Sequence, residues 1–235
     1  MTTDLNSWTP SSLPPRSSIA GWFVRIEPFE ADDHLAGLWQ AFSADTTGRI
    51  WDYLPYGPFA DADAFYDWGA AFYGTPDPMF HAVRDVRSGA VFGVASLMRI
   101  TPAQGVIEVG HICYGPALQA RPGASEAQFL LARRVFDELG YRRYEWKCNN
   151  ANAASKRAAE RLGFTFEGVF RQHMIVKGRN RDTAWFSMLD TEWPACKAAF
   201  EGWLSPDNFD KEGQQIRPLA DLRADFREHD DGRSA

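Results

Sequence analysis

Apolar positions along the chain follow two different periods, and the change of period predicts strands and helices in a mixed order. Short windows rich in apolar and aromatic residues, some of which alternate with polar ones, predict strands, and they cover residues 22–26, 80–86, 91–100, 105–114, 142–147, 164–176 and 182–189. Windows with apolar residues three or four positions apart predict helices, and they cover residues 31–42, 61–73, 124–139, 152–162 and 191–203.

The order of these elements indicates the fold class. The strands between residues 80 and 114 follow one another through short connections, which is typical of antiparallel pairing, whereas the later strands alternate with helices. This order predicts an α/β (α+β) fold. We expect a mixed, mostly antiparallel twisted sheet of six to seven strands, covered by helices on both faces.

The flanks of the chain differ in composition from its middle. Residues 1–20 are rich in Ser, Thr and Pro, which predicts a flexible lead-in. Residues 204–235 are polar and carry charges of both signs, so we expect a weakly ordered tail with a short helix near 217–227. Residues 21–203 are then one domain, and the 45% hydrophobic content of the chain is enough for a substantial core.

Composition disfavours several classes of function. The net charge of −6 disfavours non-specific binding to nucleic acid. No apolar run approaches the about 20 residues that cross a bilayer, so we expect no membrane partner. The three cysteines lack the spacing of metal ligands, which favours reduced thiols in a cytoplasmic protein and no metal.

Glu108 is the first candidate for chemistry, because it interrupts an otherwise apolar strand. A half-buried carboxylate resists ionisation, so its pKa would rise toward neutrality and suit a general base. The alternatives are an edge-strand charge that faces solvent and a structural ion pair. His111, three positions later, either relays a proton or packs in the interior.

Two loops that lead into helices are candidate binding segments. The loop 118–126 contains Gly123 and precedes a helix, which is typical of a phosphate cradle and equally of a helix start capped by Ser125. The Asn-rich turn 149–152 joins a strand to the next helix, where unpaired backbone donors offer a place for a ligand.

Four stretches together resemble one enzyme family. They are Glu108-Val109-Gly110, the loop 119–124, Asn152-Ala153-Ala154-Ser155, and Arg161-Leu162-Gly163-Phe164 with Glu167-Gly168. In this order they resemble the GNAT acyl-CoA N-acyltransferases over about residues 20–190, and in particular the RimJ/RimL-like ribosomal-protein alanine acetyltransferases. One departure is Pro122, which stands where the family has a glycine and offers no N–H to a phosphate.

The resemblance implies a GNAT fold with a splayed central strand pair that holds acetyl-CoA. It implies that Glu108 deprotonates an amine, directly or through water, and that Ser155 protonates the leaving thiolate. The residues implied to contact the acyl donor are Ile112, Cys113, Tyr114, Gln119, Arg121, Gly123, Ala124, Ser125 and Asn152.

The aromatic loop, residues 49–59, is broken by proline and glycine yet rich in rings, so it must pack on or line something. In the family this region forms one wall of the acceptor-binding site. The resemblance therefore makes Asp52, Tyr53 and Tyr56 candidate contacts to a small amine or a protein N-terminus. The resemblance leaves a homodimer open. Pro122 keeps a second hypothesis open, that of a non-catalytic protein of this fold that binds coenzyme A or acts as a sensor.

Overall fold

The computed structural model describes residues 5–231, with side chains up to residue 226. Eight strands of this part form one sheet: β1 Ile19–Ala20, β2 Val24–Pro28, β3 Met79–Asp85, β4 Val91–Thr101, β5 Val106–Tyr114, β6 Arg143–Asn149, β7 Thr165–Val176 and β8 Arg179–Leu189. Its α-helices are α1 Ala31–Ser43, α2 Ala62–Tyr73, α3 Pro122–Arg133, α4 Ala153–Leu162, α5 Trp193–Leu204 and α6 Leu219–Asp231. The predicted mixed fold is therefore confirmed.

The sheet has the order β1-β2-β3-β4-β5-β6-β8-β7. Neighbouring strands pair antiparallel except β5 and β6, which are parallel. A parallel pair needs a crossover, and helix α3 with its π-helical extension Arg134–Glu138 supplies it. The single parallel contact thus lies in the middle of an otherwise antiparallel sheet.

The two faces of the sheet carry separate apolar cores. One core joins the sheet to α3, α4 and α5 and includes Ile107, Val109, Leu130, Trp146 and Phe200. The other joins the sheet to α1, α2 and the aromatic loop and includes residues such as Leu38, Phe42, Trp51, Phe65 and Phe80. The first face is called below the α3 face and the second the α1 face. Burial of these large side chains supplies most of the stabilisation of the fold.

The strand count exceeds the expected six to seven because of β1, which lies inside the segment expected to be a loose lead-in. Ile19 and Ala20 pair with β2. Further upstream, Trp8 Nε1 donates to the Ala103 carbonyl at 3.1 Å, and Ser11 Oγ donates to the Gly140 carbonyl at 3.0 Å. A two-residue strand and isolated polar contacts leave no periodicity in the sequence, which is why the pattern did not reveal them.

The short helix expected near residues 217–227 is present as α6, but the C-terminal segment is better anchored than its expected weak order. Helix α6 packs against α5 and α4, and its Leu219 is buried. Arg223 Nη1 donates to the carbonyls of Glu160 and Arg161, both at 2.9 Å, and so satisfies carbonyls at the C-terminal end of α4. The polar composition masked these few anchoring residues.

No helix within residues 5–231 combines the length and the apolar character that a membrane span requires. Within the same described part of the chain, no group of three or more His, Cys, Asp or Glu side chains is arranged to hold a metal ion.

Gly123→Ala tests the close packing of α3 on the sheet. A methyl group at Gly123 would lie 2.8 Å from Val24 Cγ1, whereas one at Gly202 in α5 would meet Leu222 Cδ1 at 4.0 Å. We expect Gly123→Ala to lower the free energy of unfolding by about 1–3 kcal/mol. The control Gly202→Ala should leave it unchanged or raise it by up to about 1 kcal/mol. Urea unfolding measures both, and equal effects would contradict the packing argument.

Candidate functional site

The central strand pair separates part-way along its length. β5 and β6 are in register from Val106 and Arg143 to Val109 and Trp146, where their pairing ends. Beyond that point β6 continues to pair with β8, from Lys147 to Asn149, while β5 continues with β4. A gap therefore opens in the described sheet between residues 110–114 and residues 147–149, with backbone groups of both strands facing it.

A β-bulge redirects β5 at the start of this gap. Ser96 pairs with Gly110 and Val94 with Cys113, so that Ala95 on β4 lies opposite two residues, His111 and Ile112. His111 has a positive φ of 49°. The extra residue reverses the alternation along β5, so Ile112 and Tyr114 pack toward the α3 face although Glu108 points to the other side.

Glu108 lies in a buried ion-pair network on the α1 face. The residue is 3% exposed, and its Oε2 accepts from Arg99 Nη1 at 2.7 Å and from Lys147 Nζ at 2.8 Å. Lys147 also pairs with Glu145 Oε2 at 2.7 Å and lies 3.9 Å from the centre of the Trp185 ring. Of the alternatives left open by the sequence, the buried ion pair is thus present, and the carboxylate does not stand alone among apolar groups.

The network continues away from the gap along β6 and β7. Arg143 Nε donates to Glu145 at 2.7 Å, and its Nη1 and Nη2 donate to the two oxygens of Glu167 at 2.8 and 2.6 Å. Burial opposes ionisation of Glu145, yet its hydrogen bonds from Lys147 and Arg143 prevail and lower its pKa. Charges of both signs are therefore matched along this part of the face.

His111 packs beneath the aromatic loop. Its ring is stacked on that of Tyr56, with centroids 5.6 Å apart, and its Nδ1 lies 3.3 Å from the Tyr56 hydroxyl. Burial, with smaller contributions from the charges of Arg99 and Arg181, lowers the pKa of His111 to about 4. The imidazole is therefore neutral at physiological pH, and the packed position predicted as one alternative is the one observed.

The aromatic loop reaches both sides of the gap on the α1 face. The Tyr53 hydroxyl donates to the Ala151 carbonyl at 3.2 Å, next to the start of α4. Lys177, at the tip of the β7–β8 hairpin, donates from Nζ to the Trp51 carbonyl at 2.8 Å. Asp52 is exposed and close enough to raise the pKa of Lys177, although burial lowers it overall. The three predicted acceptor residues thus lie on one wall, with Tyr56 at the bulge.

Ser155 lies on the opposite face of the same gap. The Asn152 side chain caps α4 by accepting from the Ser155 N–H at 3.0 Å. Ser155 Oγ accepts from Trp146 Nε1 at 3.0 Å. Burial raises the pKa of the nearby Cys148 thiol, although its interaction with Ser155 opposes the rise. Since Trp146 and Cys148 are part of the core on the α3 face, Ser155 and Glu108 lie on opposite sides of the sheet at one opening.

The predicted phosphate loop ends in an uncapped helix N-terminus. Pro122 occupies the first turn of α3, and no side chain caps the helix at Arg121. The N-terminal amides of a helix are a fitting site for an anion, although Pro122 has no N–H and the Ala124 N–H already donates to the Arg121 carbonyl at 3.1 Å. The exposed Arg121 guanidinium lies beside them.

Several other predicted donor-binding side chains already have partners within the protein. Gln119 Nε2 donates to the Tyr114 carbonyl at 2.7 Å, which ties the loop to the end of β5. Ser125 Oγ accepts from Arg161 Nη2 at 2.6 Å. The last contact joins two of the sequence motifs, since Arg161 begins the Arg-Leu-Gly-Phe stretch. These side chains hold the loop in its conformation. A ligand would therefore be contacted by backbone groups of the loop rather than by these side chains.

Three basic residues near the gap had not been predicted as site residues: Arg99, Lys147 and Arg181. They come from β4, β6 and β8. Alternation indicates that Lys147 shares a face with Glu145, but nothing in the sequence indicates that all three surround Glu108.

The comparisons with known proteins agree with this geometry. The sequence profile of the acetyltransferase (GNAT) domain matches residues 24–165. The chain belongs to the GNAT acetyltransferase family. A GCN5-related N-acetyltransferase from Brucella melitensis is 52% identical, with a TM-score of 0.92 over 94% of this chain and 100% of that one. A probable GNAT acetyltransferase from Chromobacterium violaceum is 44% identical, with a TM-score of 0.76 over 83% and 96%.

More distant structures share the fold. The microcin C7 self-immunity acetyltransferase MccE, solved in complex with acetyl-CoA and AMP, is 18% identical, with a TM-score of 0.60 over 72% of this chain and 93% of that one. A search among curated proteins found no match. The family is thus shown by sequence and structure, and with it the general activity of an acetyltransferase.

The lowered pKa of His111 predicts acid destabilisation of this enzyme. An unfolded histidine titrates near 6.5, whereas the folded His111 titrates at about 4, so between these values the unfolded state binds the additional proton. The free energy of unfolding should therefore fall by about 1–2 kcal/mol per such histidine as the pH drops from 7 to 5. Urea unfolding at several pH values measures it.

His81, whose pKa burial also lowers to about 4, should contribute to the same slope. His111→Gln should make the dependence on pH between 7 and 5 shallower. The control His173→Gln removes an exposed imidazole on β7 and should leave the slope as it is. A His111→Gln variant with the wild-type slope would show that this imidazole is not buried as the structure has it.

Proposed function

We propose that this acetyltransferase uses acetyl-CoA to acetylate a primary amine, which attacks the thioester directly. The observation that carries the proposal is the gap between β5 and β6, with Glu108 on one face and Ser155 on the other. The MccE complex supports acetyl-CoA as the donor for this fold. The proposed location is the cytoplasm.

The residues that would hold acetyl-CoA follow from the unpaired backbone around the gap. Backbone groups of Ile112, Cys113 and Tyr114 that face the gap would pair with the pantetheine arm, with Asn152 on the other side. The amides of Gly123, Ala124 and Ser125 at the start of α3 would hold the pyrophosphate together with Arg121 and the loop shaped by Gln119. Bound there, acetyl-CoA supplies the thioester.

Residues on the α1 face and on the α3 face of the sheet would carry out the two proton transfers. A protonated alkylamine has a pKa of about 10, so a base must accept its proton before attack. Glu108 would do this through a water molecule, because Oε2 is held by Arg99 and Lys147. As the carbon–nitrogen bond forms and the carbon–sulfur bond breaks, Ser155 would protonate the departing thiolate. The nitrogen would lose its second proton, and through solvent this proton would restore the Ser155 hydroxyl. Backbone N–H groups at the bulge would stabilise charge on the carbonyl oxygen.

The acceptor is proposed as a small amine or a protein N-terminus, with Asp52, Tyr53 and Tyr56 on its wall. The motifs that resemble the RimJ/RimL-like group favour the N-terminus. A non-catalytic coenzyme A-binding or sensor protein is the second candidate, because Pro122 removes one amide of the cradle and Glu108 is engaged by two cations. Thiol release with a panel of amines and N-terminal peptides separates the two, since a sensor binds acetyl-CoA without amine-dependent release.

Glu108→Gln tests the proposed base. We expect kcat at pH 7 to fall by about 100-fold or more, because the remaining amide cannot accept a proton. The loss should shrink as the pH approaches the pKa of the acceptor amine, which then arrives deprotonated. Stopped assays of thiol release across pH 6–10 measure both effects.

Glu145→Gln is the matched control for this substitution. Glu145 is also buried and also pairs with Lys147, so its removal disturbs the same network without touching the proposed base. We expect kcat of Glu145→Gln to stay within a few-fold of wild type. The melting temperature should fall by a similar amount in Glu145→Gln and Glu108→Gln. Equal losses of kcat in the two variants would assign Glu108 a structural role.

Arg121→Gln tests the proposed phosphate site. Loss of the exposed cation beside the α3 N-terminus should raise the Kd of coenzyme A by about 3- to 10-fold. S-acetylpantetheine, which lacks the nucleotide phosphates, should bind equally to both forms. The control Arg87→Gln removes an exposed arginine from the β3–β4 turn and should change neither value. Isothermal titration measures the affinities, and an unchanged Kd would place the phosphates elsewhere.

A further inference from the structure

Arg181 on β8 has a charge that the protein itself does not neutralise. Its Nε is buried and, within the described residues, has no hydrogen-bond partner. None of the ion pairs formed by residues 5–226 includes it. The residue is half-buried, and a buried N–H without a partner is costly, so the position of this Nε calls for an explanation.

The position of Arg181 is on the acceptor side of the gap. Thr183 pairs with Asn149 and Trp185 with Lys147. Alternation along β8 puts Arg181 on the face of Trp185 and Lys147. Arg181 lowers the pKa of His111, and the groups that act electrostatically on Arg181 are Cys148, Glu108 and Arg99. It therefore belongs to the group of residues around Glu108, below the aromatic loop.

The carboxylates of this face are already matched. Glu108 is held by Arg99 and Lys147, and Glu145 by Lys147 and Arg143. Glu167 pairs with Arg143 through both of its oxygens. Arg181 is thus a cation in excess, in surroundings where burial already opposes its charge. An anion that enters the site would gain a desolvated partner at little cost in reorganisation.

We propose that Arg181 binds a carboxylate of the acceptor, so that the preferred substrate is an amine with a carboxylate a few atoms away. The planar guanidinium can donate two parallel hydrogen bonds to a carboxylate, which fixes orientation as well as charge. The neighbouring His111 is neutral and the Tyr56 hydroxyl lies beside it, so neither repels an anion. This inference rests on the proposed amine acetylation at the same gap.

Two pairs of acceptors test the proposal and distinguish the sources of the carboxylate. Alanine and alaninamide differ in a carboxylate next to the amine, as in a free amino acid. The peptides Asp-Ala-Ala-amide and Asn-Ala-Ala-amide differ in a carboxylate on the first side chain, as in an acidic protein N-terminus. Values of kcat/KM are corrected for the fraction of free amine at the assay pH. We expect the carboxylate member of one pair to be preferred by about 10- to 100-fold.

Arg181→Gln should reduce this preference to less than about 3-fold. Arg181→Lys keeps a positive charge but loses the two parallel N–H donors of the guanidinium, so its preference should be intermediate. This variant also tests the proposal if Arg181→Gln folds poorly. The control Arg179→Gln removes an exposed arginine of the same strand and should keep the full preference. A preference that survives in Arg181→Gln would overturn the assignment of Arg181.

The inference and the proposed function fail in different ways. Turnover of the carboxylate and amide members at equal kcat/KM in the wild type would overturn the role of Arg181 while leaving amine acetylation intact. Binding of acetyl-CoA without release of thiol in the presence of any of the four acceptors would overturn the proposed acceptor class and this inference together.

Discussion

The separation of β5 from β6 after Val109 and Trp146 is the constraint on which the rest of the site depends. The two strands part because each is held by its outer neighbour, β5 by β4 and β6 by β8, while the bulge at His111 turns β5 away. Backbone groups that would otherwise complete a ladder are left facing a gap. Helix α3, the crossover that parallel pairing requires, brings its N-terminus to the same opening.

The gap connects two chemically different faces. On the α3 face the Ser155 hydroxyl is positioned by the Trp146 indole, in apolar surroundings. On the α1 face Glu108 lies among cations drawn from three other strands. The ion pairs that stabilise the folded protein are thus made by the same carboxylate that is proposed to accept a proton. Such double use is costly for stability and typical of functional sites, where local rules are broken and compensated elsewhere.

The fold was largely predictable from the sequence because its signals are local. Period-2 and helical patterns located seven strands and the main helices, and the motif order indicated the family, which the comparisons confirm. The exceptions were short or polar. β1 is two residues long, and α6 is anchored by a few residues, such as Leu219 and Arg223, in an otherwise polar tail. The first leaves no periodic pattern in the sequence. For the second the sequence indicated a short helix but not its anchoring, because the anchoring comes from contacts with distant segments.

By itself the sequence determined most of the elements, their order, the family, and the positions of Glu108 within a strand and of Asn152 and Ser155 at the start of a helix. Tertiary structure alone decided what those residues touch. Arg99, Lys147 and Arg181 lie up to 82 positions apart in the numbering (181 − 99) and meet only because β4, β6 and β8 share one sheet. The ion pairs of Glu108 and the unpartnered charge of Arg181 therefore follow from strand order and register, which a one-dimensional pattern of apolar positions does not specify.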